Sequence, residues 1–112
     1  MRNWLKSLVD AREFSMRCTQ YVMGLDMESF LADQMRREAV CFCIVIVGEA
    51  INSVPKVLQN RVPEIPWAGV VGMRNRIVHE YWDIDFETVF QVAVKDARQL
   101  AHQLDTLMRR PA

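Results

Sequence analysis

A chain of 112 residues, 51% apolar and 25% charged, has the composition of one globular domain and is too apolar to be disordered. Its 14 basic and 14 acidic side chains cancel, so no global positive field exists to hold nucleic acid, and any such contact must come from a local patch. Cys18, Cys41 and Cys43 are an odd number without zinc half-site spacing, and read as reduced core thiols of a cytoplasmic protein.

The opening "MRNWLKSLVDAREF" carries charges through its apolar residues, unlike a signal peptide, and the longest apolar run, 39–47, is too short to span a membrane. Trp4, Leu5, Leu8, Ala11, Cys18, Tyr21, Val22 and Leu25 recur at helical spacing, which predicts a first amphipathic helix stopped by Gly24. Asp26 then caps a short helical turn, "MESFLA". From Asp33 the pattern runs without a turn signal to Pro55, which favours helix over strand for its β-branched centre. Residues 39–47 are apolar on all sides, so one face of that helix calls for cover by a second copy. "QNRVPEIPW" reads as a connection, with Pro66 suited to the first turn of a helix over 67–81. Asp85 caps the last helix, whose apolar face runs from Phe86 to Met108. The expectation is an all-α single domain over 1–112, a bundle of four main helices plus a short helical turn, forming a symmetric homodimer.

Most catalytic constellations are missing. There is no glycine-rich phosphate loop, no HExxH and no nucleophile elbow, and no metal or cofactor site is expected. Glu13, Glu28 and Asp96 read as solvated helix faces, and His102 as a surface histidine opposite the Leu100/Leu104 stripe. One stretch stands apart, "MRNRIVHEYWDID" at 73–85. On a helix with Arg74 at 0°, Trp67, Val70, Val71, Ile77, Val78 and Tyr81 lie within about 60° of it, so an arginine occupies the middle of an apolar stripe. His79 lies about 140° round, near Asn75 and Gly72.

A histidine can move a proton near neutral pH, and an arginine can stabilise charge developing on phosphate oxygens, so Arg74 and His79 suit metal-free phosphodiester chemistry. Asn75, one turn before His79, can orient it or donate to the same phosphate, Gly72 leaves room for close approach, and Tyr81 brings a phenol to the edge. The bland alternative is a structural Arg74 paired with a buried acid such as Glu49, and a His79 placed at a helix end for its dipole.

"RNRIVH" followed by "EY" resembles the Rx4HxY signature of the HEPN superfamily, in particular its HepT-like toxins. The likeness extends through "IVGEA", "PEIPW" and "GMRNRIVHEYW" and covers nearly the whole chain. The resemblance implies an α-helical dimer whose paired motifs line a cleft, acting as a metal-independent ribonuclease, the toxin of a type VII-like toxin–antitoxin pair. By position it implies Arg74 and His79 as the catalytic pair, supported by Asn75, and Tyr81 as acceptor of AMP from an MntA-like nucleotidyltransferase antitoxin. On that reading the apolar stripe around Arg74 faces the partner subunit. Two other readings compete: a HEPN-like regulatory subunit of a nucleotidyltransferase without useful nuclease activity, and a purely structural helical dimer.

Overall fold

The structure is a computed structural model describing residues 3–110, which are helical with no strand among them. Helix α1 spans Trp4–Val22 and α2 spans Met27–Ala32. Gly24, at φ +81°, supplies the left-handed turn that stops α1, a conformation in which any other residue would be strained. The Asp26 carboxylate accepts from Ser29 N–H at 2.8 Å and caps α2. Asp33 does the same for α3 (Gln34–Asn52), accepting from Arg36 N–H at 3.0 Å. The β-branched centre is helical, as length favoured.

The expected connection is partly ordered. Lys56–Arg61 form α4, whose Gln59 is buried and donates to Val54 O at 2.9 Å. Trp67 opens α5 (Trp67–His79) and donates its indole N–H to Val62 O at 2.9 Å, tying the two prolines of the link to the core. A 3-10 turn over Tyr81–Asp83 leads to α6 (Phe86–Gln91), capped by Asp85 through Glu87 N–H at 2.9 Å. A π turn over Val92–Asp96 joins α6 to α7 (Ala97–Arg109) without breaking the helical backbone. That turn was not legible in the periodicity. Widening the ladder exposes the Ala93 carbonyl, and Thr19 of α1 donates its hydroxyl to it at 3.1 Å.

Helix α3 packs against both α1 and α5, and α7 packs against α1. One buried cluster centres on Cys18, Phe30, Val40, Ile44, Ile77 and Val89, the other on Leu8, Val47, Ile51, Trp67, Leu100 and Leu104. The three cysteines are free and buried, and burial pushes the Cys41 thiol up to about 11, so at neutral pH it is a small hydrophobe. No described helix is long and apolar enough to cross a membrane.

One face of α3 is uncovered. Phe42 is 59% exposed, Val45 and Ile46 are half-buried, and Glu49 follows them at helical spacing. On neighbouring α5, Val71 is half-buried and Val78 is 49% exposed on the side that carries Arg74. The all-round apolar run thus meets its own chain on most sides and leaves one stripe bare.

Candidate functional site

Arg74 sits where α5 crosses α3. Gly48 makes that crossing possible: a Cβ on Gly48 would stand 2.3 Å from Arg74 Cβ and 2.7 Å from its Cγ. The arginine stem therefore lies against the α3 backbone, and the apolar stripe around it faces α3 of the same chain. This corrects, for Trp67 and Ile77, the expectation that the stripe faces a partner subunit. Its buried members, Trp67 and Ile77, fill the chain's own core, and Val71 and Val78 remain at the uncovered edge.

The guanidinium emerges beyond α3. Its Nε donates to Glu49 Oε1 at 3.0 Å, a second N–H reaches the same oxygen, and Nη1 donates to Asn75 Oδ1. The Arg74 side chain is 22% exposed and that of Glu49 53%, so Glu49 is not the buried acid the bland alternative required. A pair this open to water contributes at most about 1 kcal/mol. Stability alone is a weak reason for the arginine, and an anion from solution can compete with Glu49 for it.

Asn75 is exposed and orients Arg74, not His79, through its side-chain oxygen. His79 is the last residue of α5, exposed, and has no hydrogen-bond partner among the described residues. The two side chains leave the helix about 140° apart and about 7.5 Å apart along its axis, so one copy does not close a site around them. Gly72 has nothing within 4 Å of where a Cβ would be, so its open space lies outside this chain.

Tyr81 is displaced from its expected position. Helix α5 ends at His79 because Glu80 turns out of the helical region at φ −134°, ψ 33°, so Tyr81 belongs to the 3-10 turn and not to the Arg74 face of a longer helix. It still lies against α3, about two to three helical turns from the Gly48 crossing, with Cys41, Glu38 and Arg37 as its electrostatic neighbours. Its ring packs edge-on against Phe86 at 6.0 Å and Trp82 at 5.8 Å. Burial lifts the phenol above its ordinary value; Cys41 and Glu38 add to the lift and Arg37 opposes it. The folded state therefore holds this proton more tightly than the unfolded chain. Stability from this group is full below the unfolded pKa, about 10, and is lost as pH rises through the higher folded value. Phenolate absorbance at 295 nm, compared between wild type and Tyr81→Phe, should place the Tyr81 midpoint above 10; a midpoint at or below 10 would contradict this packing.

Arg74, Asn75, His79 and Tyr81 stand outside the cleft that runs beside α5. That cleft, of about 590 Å³, lies between α5 and the α6–α7 helix, lined by Ser15, Ile44, Val70, Met73, Arg76 and Leu100 among others. No described group of three His, Cys, Asp or Glu is placed to hold a metal ion. Sequence reasoning missed Gly48 and Trp82, which is 94% exposed on the turn after His79. The signal for Gly48 was a glycine inside an apolar helix, where it costs about 1 kcal/mol relative to alanine unless something packs against it. Nothing local marks Trp82 as exposed.

Comparison with known proteins bears on what this arrangement does. A protein from Methanocaldococcus jannaschii named as an RNase is 24% identical over 91% of this chain and 84% of its own. One from Caldanaerobacter subterraneus subsp. tengcongensis, also named as an RNase, is 25% identical over 97% of this chain and 95% of its own. A protein from Thermococcus cleftensis named as a ribonuclease HepT is 26% identical over 96% of each. No solved structure matches the chain. The family model described as ribonuclease HepT-like matches residues 11–107, so the chain belongs to the HepT-like family of ribonucleases.

Proposed function

We propose that two copies of this chain form a metal-independent ribonuclease toxin, cutting RNA in a cleft at their interface with Arg74 and His79. The observation that carries the reading is the place where Arg74 emerges: beside Glu49, at the edge of an uncovered apolar surface of Phe42, Val45, Ile46, Val71 and Val78. Covering that surface with a second copy buries it and brings a second Arg74 and His79 nearby, so that four cationic or proton-moving groups converge despite zero net charge. His79 then assists attack of a ribose 2′-hydroxyl on the adjacent phosphate, and Arg74, exchanging Glu49 for phosphate oxygens, stabilises the pentacoordinate transition state. Asn75 fixes the guanidinium and offers its amide to the same phosphate. Products ending in 2′,3′-cyclic phosphate are expected. Light scattering at micromolar concentration should give twice the chain mass of 13.1 kDa; a stable monomer would remove the shared cleft.

The silencing step is proposed on Tyr81. It stands two residues after His79, half-buried, on a turn that leaves the bundle, where a partner enzyme has access. Transfer of AMP from ATP by a small nucleotidyltransferase antitoxin forms a phosphodiester on the phenol oxygen and releases pyrophosphate. The added bulk and negative charge would exclude RNA and attract the arginines. Incubation with that enzyme and ATP should add AMP units at Tyr81 while cleavage falls in step. Tyr81→Phe should cleave RNA yet resist silencing, and AMP found on another residue would overturn the assignment. The regulatory-subunit reading loses ground to the state of His79, whose exposed side chain has no hydrogen-bond partner among the described residues.

A further inference from the structure

We propose that Trp82 anchors a basic partner protein beside Tyr81, and that the turn after α5 is a docking element for that protein and not for RNA. The inference rests on the reading of Tyr81 as the modified residue. Of the three tryptophans, Trp67 is 7% exposed and Trp4 44%, whereas Trp82 is 94% exposed. A tryptophan ring covers about 150–250 Å² when buried, which makes one left bare the most productive anchor a surface can offer. Its exposure is not that of a loose loop. Asp83 N–H donates to Glu80 O at 2.9 Å, Ile84 N–H donates to Tyr81 O at 3.2 Å, and the Tyr81 ring braces the turn against Phe86. The indole is held out by a fixed backbone, so little entropy is lost when it is covered.

Charge decides the occupant. Residues 80–87 hold Glu80, Asp83, Asp85 and Glu87 and no lysine or arginine, in a chain whose net charge is zero. Asp85 and Glu87 serve the N-terminus of α6, but Glu80 and Asp83 make no ion pair among the described residues. Arg76 is the one base lining the hollow that Glu80, Asp83 and Asp85 share. Arg37, over the Phe86 ring at 5.2 Å, and Arg76 offset only part of this charge, so the Trp82 side of the turn disfavours an RNA backbone. A second copy docking through this turn would set like charges against each other across the two-fold. An apolar socket rimmed by lysine or arginine is the complement, and any enzyme that reaches the Tyr81 phenol must also cover the residue beside it.

The test uses a small nucleotidyltransferase of the class that the proposed function invokes, titrated calorimetrically against the Tyr81→Phe protein so that binding is read without chemistry. Trp82→Ala in that background should weaken Kd at least tenfold, Trp82→Phe should restore most of it, and Glu80→Gln with Asp83→Asn should flatten its salt dependence. With Tyr81 intact, Trp82→Ala should slow AMP transfer at least tenfold through KM, leaving RNA cleavage and dimer mass unchanged. An unchanged Kd overturns the anchor, as does loss of RNA binding, which would assign Trp82 to a nucleobase, or loss of the dimer, which would assign it to the second copy. If the enzyme binds through Trp82 but wild-type Tyr81 receives no AMP, the anchor stands and the reading of Tyr81 falls. If Trp82→Ala is modified at the wild-type rate, the anchor falls and Tyr81 stands; no binding to any variant overturns both.

Discussion

His79→Ala and Arg74→Ala are each expected to lower RNA cleavage by about 10²–10⁴-fold while leaving the fold intact. The size follows from the roles proposed: a positioned proton donor or acceptor contributes roughly 10²–10⁴-fold, and a preorganised donor to a charged transition state a comparable amount. The structure supplies the control. His79 is exposed and its side chain has no partner among the described residues, so its truncation should cost at most about 0.5 kcal/mol of folding stability. Arg74→Ala loses the packing of its stem on α3 as well as an ion pair of at most about 1 kcal/mol, and should remain folded. Circular dichroism and dimer mass should therefore match wild type. The double variant should be little worse than either single one, since the two groups act as a unit. Activity of the wild type should persist in EDTA. Full activity in either variant, or loss of cleavage tied to unfolding, would remove Arg74 and His79 from the chemistry.

Gly48→Ala should be among the most damaging small substitutions in the chain. Its Cβ would meet Arg74 Cβ at 2.3 Å, and both atoms are fixed to helix backbones, so no rotamer change relieves the clash. The α3–α5 crossing has to open, at a cost of about 1–3 kcal/mol net of the helix propensity gained. Thermal melting should show Tm lowered by several degrees, on the order of 4–12 °C. Cleavage should fall as well, because the shift carries the guanidinium away from Glu49 and the uncovered face. Arg74→Gly in the same chain removes the clashing Cβ, so the double variant should regain part of the stability lost and none of the activity. A Gly48→Ala protein as stable and active as wild type would mean that the helices do not cross this closely.

Local chemistry alone determined most of the helical layout. Asp26 and Asp85 cap the helices they were expected to cap, α3 begins just after Asp33, where its pattern starts, and Gly24 stops α1, because these signals act through hydrogen bonds and φ angles within three or four residues. The motif was legible through its resemblance to the Rx4HxY signature, residue types alone having left a structural Arg74 open, and the family it pointed to is the one to which the chain belongs. Four features were decided only by tertiary structure. The turn at Glu80 takes Tyr81 off the Arg74 helix and sets it on Phe86, a contact between elements that periodicity cannot register. The π turn at 92–96 is accommodated by a hydroxyl from α1, seventy-four residues away in sequence from the carbonyl it satisfies. Arg74 occupies an apolar stripe because Gly48, on another helix, leaves a gap for its stem while Glu49 receives its charge. Trp82 is an apolar residue left in water, since burial depends on which other surfaces arrive, and at that turn only the edge of Tyr81 does.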